Sequence, residues 1–135
     1  LIEYKIESNL SVEEFVDVLN DSSLGERRPV ADILRIQKMI DNANLIVTAR
    51  DNGSLIGVSR SVSDFSYCTY LSDLAVIKQY QKMGIGKELI RQTKLAGGEA
   101  KLILLSAPAA VDYYPRIGMK SHPHCFMLDS IDELK

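Results

Sequence analysis

The sequence predicts a mixed-sheet α/β or α+β domain, with mostly antiparallel strands, one parallel pair and about four helices. Two observations carry this. Apolar runs from Leu45 to Ala49 and from Leu55 to Arg60 flank Asp51-Asn52-Gly53. An Asn-Gly between such runs signals two strands joined by a tight hairpin. Further on, an amphipathic stretch from Gly84 to Ala96 separates a strand ending at Val76 from one starting at Lys101. A helical crossover of that kind makes the two strands parallel neighbours.

The remaining elements follow in order. Ile2 to Ile6 alternates apolar and polar and reads as a strand. Ser11-Val12-Glu13-Glu14 is a capping box, and Val12, Phe15, Val16 and Leu19 then recur at helical spacing. Pro29 suits the first turn of a second helix with Val30, Ile33, Leu34 and Ile40 on its apolar face. A third sheet strand runs from about Tyr67 to Val76. In the crossover helix Ile85, Leu89, Ile90 and Thr93 share one side, and Lys87, Arg91 and Lys94 the other. Gly97-Gly98 ends that helix by supplying a positive φ. Lys101 to Ser106 reads as a buried strand, Pro108 opens a short helix through about Arg116, and Met119 to Leu128 is expected to return as one or two strands.

The bulk properties narrow the function classes. With 135 residues, one domain spanning 1–135 is expected. The 16 basic and 18 acidic residues give a net charge of -2. The cationic excess that drives nucleic-acid binding is missing, so no nucleic-acid partner is expected. No apolar run approaches the ~18 residues of a membrane span, so no membrane partner is expected either. Leu1 to Lys5 lacks the layout of a signal peptide, and the two cysteines, Cys68 and Cys125, cannot build a disulfide framework. The expectation is a cytoplasmic protein.

The most informative stretch runs from Leu74 to Lys87: a strand, a loop with Gly84 and Gly86, and a helix start. A helix N-terminus offers unpaired N–H groups and partial positive charge, and glycines let that backbone close on an anion. Walker A is excluded, because Glu88 follows Gly86-Lys87 and Gln81 stands where its first Gly belongs. The dinucleotide fingerprint is excluded by Leu89 at its third Gly position. A bare Gly-x-Gly also serves any tight strand–helix turn. The wider context is more specific. Gln81-x-x-Gly84-x-Gly86, with Asp73-Leu74-Ala75-Val76 before it, resembles the signature of the GNAT N-acetyltransferase superfamily. Ala110-Val111-Asp112-Tyr113-Tyr114-Pro115-Arg116-Ile117-Gly118-Met119 resembles that family's second motif, and the element order matches along nearly the whole chain.

The resemblance implies a GNAT fold with a splayed central parallel strand pair. It also implies acetyl transfer from acetyl-CoA to a primary amine, without metal. Leu74, Ala75, Val76, Gln81, Lys82, Met83, Gly84, Ile85, Gly86, Lys87, Ser106 and Tyr114 would contact the cofactor. The amides of about Met83 to Lys87 would hold its pyrophosphate, and the Val76 amide would face the thioester carbonyl. Tyr114 would return a proton to the leaving thiolate, with Tyr113 the better core candidate. Asp73, Asp64 and Glu26 are the candidate bases, acting directly or through a water, or orienting a cationic amine. A bulge near Asp73 would prevent its face being read from alternation. Arg60-Ser61-Val62-Ser63-Asp64 resembles a stretch in members acting on small amines, which favours a small-molecule acceptor. A homodimer is compatible with the family.

Some residues depart from the pattern. Ala107 replaces an Asn frequent in the family, Met119 replaces a Phe, and Pro115 follows the tyrosine pair. Ala107 keeps open the reading of a non-catalytic coenzyme A-binding module, and a small nucleotide-binding domain is a third reading. His122, His124 and Cys125 are too few for a structural zinc site, and Cys125 lacks an orienting group for a nucleophile. Arg27 and Arg28 read as solvated loop charges.

Overall fold

In the computed structural model, which describes Leu1–Lys135, strand β1 (Ile2–Ile6) precedes helix α1 (Val12–Asp21). Ser11 caps α1 by accepting from the Glu14 N–H at 3.1 Å, but the Glu14 carboxylate is drawn to Arg50, so the reciprocal half of the capping box does not form. Helix α2 (Ile33–Asp41) starts four residues after Pro29. The carboxylate of Asp32 accepts from Arg35 N–H and sets the helix start there, so Pro29 lies in a preceding turn. The hairpin forms as expected from β2 (Leu45–Asp51) and β3 (Ser54–Ser63). Asn52 and Gly53 take φ of 50° and 89°, the two positive values a type I′ turn demands.

Strand β4 (Cys68–Val76), helix α3 (Ile85–Ala96) and strand β5 (Lys101–Leu104) complete the sheet. Its order is β1-β2-β3-β4-β5. The first three pairings are antiparallel, and β4 with β5 is parallel, as the crossover predicts. β5 is shorter than expected and half-exposed, because it forms the edge of the sheet and has only one neighbour.

Two apolar layers bury the sheet. On one face Phe15, Val18 and Leu19 of α1 and Ile36 and Ile40 of α2 pack against Ile46, Val58 and Ala75. On the other, Ile85 and Leu89 of α3 pack against Leu45, Val47, Ala49 and Ile56. A polar seam lies on the α3 side, where Ser59 Oγ meets Thr93 Oγ1 at 2.6 Å. Of the glycine pair ending α3, Gly98 carries the positive φ (65°), whereas Gly97 is at -75°. Gly97 serves close approach instead: a Cβ there would stand 2.9 Å from Thr69 Oγ1.

By internal packing the chain forms two compact units, Leu1–Leu105 and Ser106–Lys135. The second holds a 3-10 turn (Pro108–Ala110), the single-turn helix α4 (Tyr113–Arg116) and a 3-10 turn at Ile131–Glu133. The expected tail strands do not form. Pro123 withholds an N–H, and the next N–H, of His124, turns onto His122 Nδ1 at 2.9 Å, so the ladder has no donors there.

Leu89 is fully buried between α3 and the sheet. Leu89→Ala is expected to destabilise the protein by about 2–5 kcal/mol. The measurement is the shift of the urea unfolding midpoint, with the slope unchanged.

Candidate functional site

The site begins where β4 loses a neighbour. Pairing of β4 with β5 stops at Leu71 with Leu104, so Ser72–Val76 has no partner strand on that side. The pairing with β3 slips at the same point: Arg60 faces Asp73 and Ser61 faces Leu71, which leaves Ser72 as an extra, unpaired residue. This is a β-bulge, and it changes which face each side chain takes. Thr69, before it, touches the α3 side, whereas Ala75, after it, joins the α1 and α2 core. Alternation places Asp73 with Ala75 and turns Leu74 and Val76 toward the α3 core, which they do pack against. Ile77 N–H pairs with Ile56 O at 3.0 Å. Antiparallel alternation then directs the N–H groups of Leu74 and Val76 away from β3, toward the open side.

Beyond Val76 the chain makes a 3-10 turn (Lys78–Tyr80) and enters α3. Lys82 and Gly84 both sit in the left-handed region, at φ of 65° and 82°. Such reversals turn successive N–H groups toward one side and form an anion-binding concavity. None of the amides from Lys82 to Lys87 donates to a protein acceptor, and the first intrahelical bond is Glu88 N–H to Gly84 O. The expected cradle residues, Lys82, Met83, Gly84, Ile85, Gly86 and Lys87, are thus brought together at one helix start, where the helix dipole adds positive potential.

Two side chains hold this loop to the sheet. Gln81 Nε2 donates to Val76 O at 2.8 Å. Tyr80 donates its phenol to Asp51 Oδ2 at 2.5 Å and so anchors the loop to the β2–β3 hairpin. That bond, with some desolvation, raises the Tyr80 phenol above its ordinary value. Sequence reasoning did not single out Tyr80 and Asp51, because their pairing is visible only once β2 lies beside the loop.

The three candidate carboxylates occupy different settings. Asp73 is fully buried, and both its oxygens are taken, one by Arg28 Nε and the other by Arg60 Nε. Arg28 also donates to Ser72 O (2.8 Å), and Arg60 to Ser72 Oγ and Met39 O (3.0 Å each). With its lone pairs engaged in this way, Asp73 serves as an anchor and has no free oxygen for an amine proton. Asp64 lies at the opposite end of β4 from the loop. Its Oδ1 accepts from the N–H groups of Tyr67, Ser66 and Cys68 at 2.7, 2.9 and 3.0 Å. Those bonds hold its carboxyl below the usual carboxylate range. At ~3.3 Å per strand residue, roughly 26 Å of strand separate Cys68 from Val76, so Asp64 builds a turn remote from the Val76 end of the open edge. Glu26 is exposed on a 3-10 turn (Leu24–Arg27) and has no ion-pair partner. Arg28, read from sequence as a solvated charge, is instead an ion-pair partner of Asp73, and neither it nor Arg60 was legible as a member of a buried cluster.

Ser106 and Tyr114 belong to the second unit. Ser106 Oγ donates to Ala107 O at 2.7 Å. Tyr113 and Tyr114 start α4, with ring centroids 5.2 Å apart in an edge-to-face arrangement. Pro115 falls in the first helical turn, where its missing N–H is not needed. Partial burial, together with the neighbouring Tyr113, pushes the Tyr114 phenol up, so it stays protonated at neutral pH.

Six free amides at a helix start, next to a strand edge with unpaired groups, suit a ligand that is anionic at one end and extended and amide-bearing along its length. The family model described as "Acetyltransferase (GNAT) domain" matches residues 7–127, and the chain belongs to that family. An uncharacterised N-acetyltransferase of Pyropia yezoensis is 27% identical over 133 residues, covering 90% of this chain and 75% of that protein. A GNAT family acetyltransferase of Streptococcus pneumoniae TIGR4 superposes with a TM-score of 0.79 at 21% identity, covering 98% of this chain and 99% of that one. AAC(6')-Iy, in complex with the bisubstrate analogue CoA-S-monomethyl-acetylneamine, superposes with a TM-score of 0.71 at 12% identity, covering 96% and 98%.

Asp64 has a depressed folded pKa, so its ionised form stabilises the fold above the unfolded value near 3.8, and that contribution is lost as pH falls through the lower folded value. Wild type is therefore expected to be more stable than Asp64→Asn at neutral pH. The difference should close as denaturation midpoints are followed downward from pH 4.

Proposed function

We propose that the protein transfers the acetyl group of acetyl-CoA to a primary amine, with a small molecule as acceptor, by direct attack in a ternary complex. The observation that carries this reading is the open β4 edge at Leu74 and Val76 running into the free amides of Lys82 to Lys87. The pyrophosphate of coenzyme A would lie on those amides, with Lys87 adding a point charge. The pantetheine arm would pair with the β4 edge as an added strand. The N–H of Val76 would point at the thioester carbonyl, with that of Leu74 on the same side. In other enzymes, loss of one such oxyanion donor costs roughly 2.7–4 kcal/mol of transition-state stabilisation. The complex of AAC(6')-Iy with a bisubstrate analogue of coenzyme A supports the donor and the ternary geometry.

The amine nitrogen attacks the thioester carbon, the C–S bond breaks, and the thiolate takes a proton. The family resemblance assigns that proton to Tyr114, whose phenol is held protonated. A phenol of pKa ~10 donates to a thiolate of ~8.5 at modest cost. Of the three carboxylates, Glu26 is the one with both oxygens free of hydrogen-bond donors, and we assign it the amine proton, directly or through a water. We also read both compact units as parts of one catalytic domain, since the family match crosses the boundary at Leu105.

Incubation with acetyl-CoA and a panel of small amines is expected to release free thiol. Thermal stabilisation by acetyl-CoA, with no thiol released from it in the presence of any amine, would instead favour a binding module. Tyr114→Phe is expected to lower kcat roughly a hundredfold with acetyl-CoA affinity retained, and unchanged turnover would remove Tyr114 as the acid. Glu26→Gln is expected to lower kcat/KM for the amine by a similar factor, most strongly at low pH, where the amine is most protonated. A pH profile identical to wild type would rule Glu26 out as the base.

A further inference from the structure

The polar cluster at the β4 bulge is not used by the proposed reaction, yet it sits where the sheet opens. We infer that Arg28, Asp73 and Arg60 are positioning residues: together they lock the connection between α1 and α2 onto the bulge and so shape the side from which the amine approaches. This rests on the acetyl-transfer reading.

Four observations support the assignment. Arg28 caps the 3-10 turn within the connection and reaches 45 residues along the chain to Asp73, while its Nη2 holds Ser72 O, the carbonyl of the bulged residue. Ser72 immediately follows Leu71, the last residue of β4 paired with β5. Arg60 grips the same two residues from β3, through Asp73 Oδ2 and Ser72 Oγ, and ties them to α2 through Met39 O. Every oxygen of Asp73 and Ser72 that these bonds use is thereby committed, so neither residue can shift without the other. The cluster also lies on the face covered by α1 and α2, whereas the amide cradle belongs to α3 on the opposite face. A cofactor whose phosphates occupy the α3 side leaves the approach beside the bulge to the acceptor, and the Arg28 anchor decides where the connection bearing Glu26 stands.

Arg28 keeps part of its side chain exposed, and Arg60 remains paired with Asp73 when Arg28 is replaced by another cation. Lysine keeps the charge but cannot reproduce a planar fork that bonds Asp73, Ser72 and the Arg27 carbonyl together. For Arg28→Lys we expect kcat/KM for the amine to fall at least tenfold, with the acetyl-CoA dissociation constant within twofold of wild type. Hydrogen exchange supplies the second readout. The Glu26 and Arg28 amides, bonded to Ser23 O and Gly25 O, should exchange at least tenfold faster in Arg28→Lys, while the β2–β3 hairpin is unchanged. Asp73→Asn should loosen the same amides if it folds. Wild-type exchange in the connection of Arg28→Lys, or a wild-type amine kcat/KM, overturns the inference. A wild-type protein that transfers no acetyl group refutes the reaction assignment instead, and the exchange measurement still decides whether Arg28 anchors the connection.

Discussion

One extra residue in β4 governs the arrangement of the rest. Without the bulge at Ser72, strict alternation would carry Asp73 to the α3 face with Leu71, and Leu74 to the face of α1 and α2. With it, the carboxylate meets two guanidinium groups, Ala75 fills the α1 and α2 core, and Leu74 and Val76 turn their side chains to α3 and their free N–H groups to the open edge. The bulge also coincides with the end of β4–β5 pairing. A bulge adds local twist, and twist at that point is what a parallel pair needs in order to separate.

A bulge exposes main-chain groups that a ladder would otherwise satisfy. Here Arg28 takes the Ser72 carbonyl, and Arg60 takes the hydroxyl. The carboxylate of Asp73 is fully buried, and burying a lone charge is costly unless it is paired and hydrogen-bonded. Each part of the cluster therefore requires the others. Such clusters are weak evidence for added stability and better evidence that one backbone geometry is being specified. The cradle at α3 is built on different terms. It needs only main-chain amides left free by a helix start and the left-handed turns at Lys82 and Gly84.

Local elements were readable from residues because their causes are local. The Asn52-Gly53 turn needs two positive φ values, the Ser11 cap needs a hydroxyl three residues before an N–H, and α3 shows its apolar stripe at Ile85, Leu89 and Thr93. The cradle was readable for the same reason, since a helix N-terminus with glycines is a short-range feature. Errors fell where two local signals competed or where a partner was distant. At the start of α2 the Asp32 cap prevailed over Pro29. At Gly97 the need was for room against Thr69, 28 positions earlier in the chain, rather than for a positive φ. The tail segment has strand-like composition but, with Pro123 and the His124 N–H removed from any ladder, no means to pair.

By itself the sequence determined the order of elements, the parallel crossover, the glycine-bearing loop at the start of α3 and, through two motifs, the family. Those follow from side-chain periodicity, turn chemistry and spacing, all of which act over a few residues. Only the tertiary structure decided the roles of the charged residues. Asp73, Asp64 and Glu26 are alike as carboxylates. One is closed between Arg28 and Arg60, one has a single oxygen tied down by three N–H groups of its own turn, and one stands free. The difference arises because a carboxylate's chemistry is set by what occupies its oxygens, and those partners, apart from the local turn at Asp64, come from segments that meet only when the sheet has formed.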